Sequence, residues 1–426
     1  MQNRFLNAKT LRRENAKIYF LAASRRSFLK YFAPLPLCVF ALIFFSSVVS
    51  AQIAIKGETV WTMTGEPMTN GIVLIKNGKI EAVGTAASVN IPSDYRVINA
   101  KVVTPGLIDA HTVIGLNGYL NQPHDQMALD NGASFQPELR ATDAYNAEEK
   151  LVEWVRQYGV TTIHTGHQPS ALASGQTMIA KTAGKNVDEA TIVPTAMIAV
   201  TLGNAANATG RSPGTRAKQV AMLRAELIKA QENETKTEKA KDLKSLIMAR
   251  VIKREIPLLV TAEAAQDIMT AIRIAKEFNI RIVLDGASDG HTLINEIKAS
   301  GFPVIVHATM ARPGGERANL SLENASKLRA AGIPVALQSG YEGYVPKTRI
   351  VLFEAAMAAA NGLSKRDALA AITIDAAKIL GIDNRVGSLT VGKDADIAMY
   401  DGDPFEFTTH CTGTIIDGKI VSTVVR

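Results

Sequence analysis

The residues of this chain best suited to chemistry are a few histidines and one aspartate, each at the end of an apolar run. His111 closes Leu107-Ile108-Asp109-Ala110-His111. Asp285 closes Ile282-Val283-Leu284-Asp285, and His307 follows Val304-Ile305-Val306. His164 and His167 stand three apart in Thr162-Ile163-His164-Thr165-Gly166-His167-Gln168-Pro169. Imidazole nitrogens and carboxylate oxygens are the donors that hold divalent metals and the groups that move protons near neutral pH. His111, His164, His307 and Asp285 form a candidate metal or acid/base cluster if the fold gathers those strand ends, although no spacing demands it. His111 taken alone reads as a buried, hydrogen-bonded histidine. Gly166 and Pro169 make the His-x-x-His segment a strand-to-loop turn with ordinary polar loop residues, and His124 and His410 read as surface groups.

Other groups weigh less. Arg312, Gly314, Gly315 and Arg317 form a flexible basic loop that could receive a carboxylate but reads first as solvated. Ser339-Gly340-Tyr341 lacks the G-x-S-x-G pattern of a nucleophile elbow.

The elements that must position these groups alternate. Between about 104 and 386, strand-like runs (Leu107–His111, Thr161–Thr165, Thr191–Val200, Leu258–Ala262, Ile282–Asp285, Val304–Ala308, Val335–Gln338) are interleaved with helical patterns. That alternation predicts a parallel α/β barrel with its chemistry at the carboxyl ends of the strands. Gly159, Asn279, Gly301 and Gly332 each follow a helix and precede a strand, as C-terminal caps. Residues 52–103 and 387–426 instead read as short strands, with tight-turn signals at Asn77-Gly78 and Asp417-Gly418. They predict one small sheet domain built from both ends of the chain.

The first 51 residues stand apart. Ser24-Arg25-Arg26-Ser27-Phe28-Leu29-Lys30 is a twin-arginine export motif, Tyr31 to Val49 is apolar, and Val49-Ser50-Ala51 offers small residues for cleavage before Gln52. Pro34 and Pro36 and the short length weigh against a stable membrane anchor. The Sec route is the rival path of export. The leader holds eight of the 47 Lys and Arg and one of the 40 Asp and Glu, so the remainder carries 39 of each and no net charge. The basic balance of the whole chain therefore gives no reason to expect nucleic acid as a partner. Of the two cysteines only Cys411 remains, so no internal disulfide can form.

The stretch Thr104-Pro105-Gly106-Leu107-Ile108-Asp109-Ala110-His111, the segment Ser174-Gly175-Gln176 and the run Val386-Gly387-Ser388-Leu389 to Gly392-Lys393-Asp394-Ala395-Asp396-Ile397-Ala398 resemble the amidohydrolase superfamily, in particular its imidazolonepropionase-like branch. The resemblance spans residues 52–426. It implies an α/β fold: a (β/α)8 TIM-type barrel over 104–386 with a composite β-sandwich from 52–103 and 387–426. It also implies a site for one or two divalent metals such as zinc, and hydrolysis of C–N bonds in cyclic amides or peptides. Its ligand positions map onto His111 and Val113 on the first strand, Ala199 on the fourth, Thr261 on the fifth, the neighbourhood of Asp285 on the sixth and Ser339 on the eighth. Only His111 keeps a ligand type, and a lone histidine cannot hold a catalytic ion or activate water. No cofactor is therefore expected. Val113, Ala199, Thr261 and Ser339 become binding positions at the barrel mouth, and His111, Asp285 and His307 the candidates for metal-free acid/base work. Two functions follow as expectations: an exported hydrolase by descent whose metal site is degenerate, or a non-catalytic subunit that binds a small molecule or assembles as an oligomer with an active homologue.

Overall fold

The computed structural model describes residues 52–207, 213–238, 241–306, 313–341 and 350–426. The leader with its twin-arginine motif, His307 and Arg312 lie outside them. Among the described residues no helix is long and apolar enough to cross a membrane.

The first four strands are β1 (Ile53–Val60), β2 (Met68–Lys76), β3 (Lys79–Thr85) and β4 (Arg96–Pro105). The last three are β15 (Ile397–Tyr400), β16 (Cys411–Ile416) and β17 (Lys419–Ser422). Together they form one seven-stranded sheet in the order β17-β16-β15-β4-β1-β2-β3, so both ends of the described chain build it. Asn77 at φ 51° and Gly78 at φ 78° make the β2–β3 hairpin, and Asp417 at φ 48° and Gly418 at φ 73° make the β16–β17 hairpin. β1 runs as one strand, antiparallel to β2 and parallel to β4.

The middle of the chain is mixed α/β. Strands β5 (Leu107–Thr112), β6 (Val160–Thr165), β8 (Met178–Lys181) and β9 (Thr191–Val193) make a four-stranded sheet. Strands β7 (Ala173–Gln176), β10 (Ile198–Thr201), β11 (Leu258–Ala262), β12 (Ile282–Gly286), β13 (Val304–Val306) and β14 (Val335–Leu337) make a six-stranded one. From β10 to β14 the pairing is parallel throughout. The single run expected over Thr191–Val200 splits into β9 and β10, because Pro194 and the irregular residues after it break the ladder. Backbone contacts run between the two sheets. Thr112 bridges Gly340, and Thr177 exchanges hydrogen bonds with Ala196 and Met197.

Helices cover the strands: α1 (Lys150–Arg156), α2 (Val187–Ala190), α3 (Arg216–Thr235), α4 (Leu243–Ile252), α5 (Ala265–Phe278), α6 (Ile294–Ser300), α7 (Asn324–Ala330), α8 (Val351–Ala360), α9 (Lys365–Ala371) and α10 (Ile374–Leu380). α5 stops where Asn279 turns left-handed (φ 50°), and α6 where Gly301 does (φ 71°), as the cap signals predict.

Strand alternation sorts the interior. Leu259, Val283, Ile305 and Ala336, one from each of β11 to β14, pack with Ile108, Ala110 and Ile179 in one apolar cluster. Two residues further along, on the same face of their strands, come Thr261, Asp285 and Gln338. The apolar layer thus fixes a polar layer at the strand ends.

Candidate functional site

Asp285 is the centre of that polar layer. It is fully buried, and its Cα pairs across the ladder with that of Thr261. Thr261 Oγ1 donates to Asp285 Oδ2 at 2.6 Å, and Gln338 Nε2 donates to Asp285 Oδ1 at 2.7 Å. His111 Nδ1 lies 2.9 Å from the same Oδ1. Such a buried carboxyl needs several donors around it, and three strands supply them. His111 Nε2 is buried and unpartnered. The ring lies 5.5 Å from the Tyr341 ring and 5.9 Å from that of His164.

Asp109, two residues before His111, has its own partners. Ser339 donates to it twice, from the backbone N–H at 3.0 Å and from Oγ in a short contact. The Ser339 hydroxyl also sits 3.4 Å from Thr112 Oγ1. Burial pushes the Asp109 carboxyl up to about 7, and the Ser339 hydrogen bonds pull it only part of the way back.

The sequence-predicted residues divide accordingly. His111, Asp285 and Thr261 come together, while Ser339 serves Asp109 rather than Asp285. Val113 is fully buried in the main apolar core, and so contributes packing. Ala199 is buried on β10, its Cα paired with that of Leu259. His164 and His167 are not ordinary loop residues. His164 sits inside β6, with Nδ1 2.7 Å from the Ala110 carbonyl and Nε2 2.6 Å from Thr177 Oγ1. Burial, then the neighbouring His111, push it down to about 3, which holds it neutral. His167 is also buried, packed against Gly175, and burial lowers its pKa. Arg317 is likewise less solvated than its loop suggested. Its Nε donates to Glu263 at 2.9 Å and its Nη2 to the Tyr341 hydroxyl at 3.0 Å. Glu263 also accepts from the Ser288 hydroxyl at 2.6 Å. His124 and His410 are exposed as expected.

Sequence reasoning missed Asp109, Gln338, Glu263 and Tyr341. Gln338 was within reach, because it follows Ala336 by one strand period. Asp109 precedes His111 by the same interval.

A family model described as the amidohydrolase family matches residues 114–422. The chain belongs to the amidohydrolase family. Its similarity is to the imidazolonepropionase-like branch: an imidazolonepropionase from Brucella anthropi is 23% identical over 397 residues, covering 83% of this chain and 91% of that protein. An amidohydrolase of known structure from Thermotoga maritima superposes with a TM-score of 0.81 at 26% identity, over 87% of this chain and all of that one. A zinc-bound adenosine deaminase from Xanthomonas campestris shares the fold at a TM-score of 0.52 and 13% identity, over 87% of this chain and 92% of its own.

Divalent metals act in this family, and the residues here can be tested against that need. Among the described residues no three His, Cys, Asp or Glu are grouped so as to hold an ion. His111 offers Nε2 alone, both nitrogens of His164 are engaged, and the oxygens of Asp285 and Asp109 already accept from neighbouring donors. A catalytic zinc site takes three converging protein donors. The described donor set does not fit a one- or two-metal centre.

Proposed function

We propose that this chain is an exported amidohydrolase-family protein, by descent a hydrolase of C–N bonds, whose barrel no longer runs metal-assisted hydrolysis. It acts as a small-molecule-binding subunit that assembles with an active homologue. The observation that carries this reading is the bonding of the polar layer. Asp285 is taken up by Thr261, Gln338 and His111, and Asp109 by Ser339, so the groups nearest the ancestral ligand positions face one another. The same reading takes residues 104–386 as a closed (β/α)8 barrel, residues 52–103 and 387–426 as a composite β-sandwich, and residues 1–51 as the cleaved leader. The isolated bridge between Thr112, at the end of β5, and Gly340, past the end of β14, favours closure.

Elemental analysis of the mature chain tests it, after dialysis and again after reloading with zinc, manganese and iron. The expected result is metal at background level. One or two equivalents retained would restore the hydrolase and end this proposal. Pull-down of the tagged chain from periplasm is expected to return an amidohydrolase homologue, and recovery of the chain alone would remove the assembly.

A further inference from the structure

Among the described residues, two buried acceptors at the centre of the polar layer have no partner: His111 Nε2 and Gln338 Oε1. Both residues are fully buried. Both are anchored by the same atom, since His111 Nδ1 and Gln338 Nε2 lie 2.9 and 2.7 Å from Asp285 Oδ1. With Nδ1–H directed at a carboxylate oxygen, a neutral imidazole carries its lone pair at Nε2. The Gln338 amide nitrogen faces two acceptors, Asp285 Oδ1 and the Ile305 carbonyl at 3.5 Å, so its oxygen must point away from them. The imidazole and the amide are therefore both held by Asp285 Oδ1, each presenting an acceptor.

Among the described residues the surroundings supply no donor for them. The nitrogens of His164 are engaged with Ala110 and Thr177, and the Tyr341 hydroxyl bonds Arg317 and Glu263. The hydroxyl hydrogens of Thr261 and Ser339 go to Asp285 and Asp109. Unpaired buried acceptors are costly and call for a resident partner. A partner here must bring donors. A carbonyl or carboxylate on it would add a further unmet acceptor.

We propose that the strand ends bind a small molecule with two N–H donors side by side, of the amidine or guanidine type, one donor to His111 Nε2 and one to Gln338 Oε1. This rests on the metal-independent reading above and names the ligand class of that same site. Acetamidinium and acetate, which share one shape and have opposite hydrogen-bonding character, are the probes. The mature chain, labelled with 15N-histidine and first shown by elemental analysis to be metal-free, is titrated with each at constant ionic strength. Acetamidinium is expected to displace the His111 Nε2 resonance saturably and raise the Tm, and acetate to do neither. Gln338→Met is expected to weaken acetamidinium binding about tenfold, the effect of one lost hydrogen bond, while the His111 Nδ1 proton signal persists. If that variant does not fold, the contrast between the two probes on the unaltered chain decides. Equal responses to both probes, or an Nε2 resonance indifferent to acetamidinium, would overturn the inference in favour of an ordered water. Metal found at the outset would instead overturn the metal-independent reading, so the two failures are distinguishable.

Discussion

Replacing Asp109 by Asn should change how stability depends on pH, by an amount the structure sets. Burial holds the Asp109 carboxyl at about 7 against an ordinary 3.8. Between those values the native state binds more protons than the unfolded chain, so this group's contribution to stability falls as pH rises from about 4 to 7. Above pH 7 its full cost is present, roughly three pKa units at 1.36 kcal/mol each, or about 4 kcal/mol as an upper bound. His164 works the other way. Burial and His111 hold it at about 3 against 6.5, so the native state binds fewer protons and stability rises with pH across that window. The two slopes cancel between about pH 4 and 6.5. Asp109→Asn removes one and exposes the other, and an asparagine can still accept from the Ser339 N–H and donate to the Ser339 hydroxyl. Urea unfolding of the mature chain and the variant, followed by circular dichroism at several pH values from 4.5 to 8.5, reads the difference directly. The stability of the variant relative to the parent should climb by about 1.4 kcal/mol per pH unit up to pH 7 and then level off. A difference that stays flat across the range would refute a protonated, burial-shifted Asp109.

Thr261→Val removes a buried donor from Asp285 and should cost about 1–3 kcal/mol in urea unfolding; no measurable loss would mean that the hydroxyl is not needed there. Lys181, buried on β8, reaches Asp396 at 2.5 Å and Asp394 and Asp417 at 3.2 Å each. Burial alone would lower its pKa, but these carboxylates outweigh it and hold it raised. Lys181→Met strands the buried Asp396, whereas Asp394 keeps Lys79 and Arg385 and Asp417 is half-exposed; it should cost about 3–5 kcal/mol, and a loss below about 1 kcal/mol would show that water reaches Asp396. Gly159 sits at φ 90° with the space for a Cβ only 2.6 Å from the Tyr400 hydroxyl and 2.7 Å from the Ala398 methyl. Gly159→Ala should therefore lower stability by about 1–3 kcal/mol through strain and overpacking, and a Tm equal to the parent's would contradict that crowding.

What could be seen in the sequence was local. The Asn77-Gly78 and Asp417-Gly418 turns, the caps at Asn279 and Gly301, and the apolar runs of β11 to β14 follow from neighbouring residues, and the structure places them as read. The site was legible only in its members. His111 and Asp285 are separated by 174 positions, and Gln338 by a further 53, so no spacing rule joins them. Their meeting depends on strand register, which a ladder between distant segments fixes and a sequence window cannot show. His164 misled for a related reason. Gly166 and Pro169 do break the strand, but only after His164 has been carried inside β6 to a carbonyl of the neighbouring β5.

If the proposed reading holds, the polar layer is a site rebuilt rather than merely emptied. Had Val113, Ala199, Thr261 and Ser339 replaced ligands by chance erosion, the remaining carboxyl groups would be left without donors, at a cost the fold could not easily meet. Instead Thr261 has a hydroxyl where Asp285 needs one, and Ser339 has a hydroxyl and an N–H where Asp109 needs both. Thr261 and Ser339 each satisfy a carboxyl, while Val113 and Ala199 contribute packing. Among the described residues, Thr261 is bonded to Asp285 and Ser339 to Asp109, and His111 Nε2 and Gln338 Oε1 are left open. Those two atoms, left open inside an otherwise bonded network, mark where a ligand completes it.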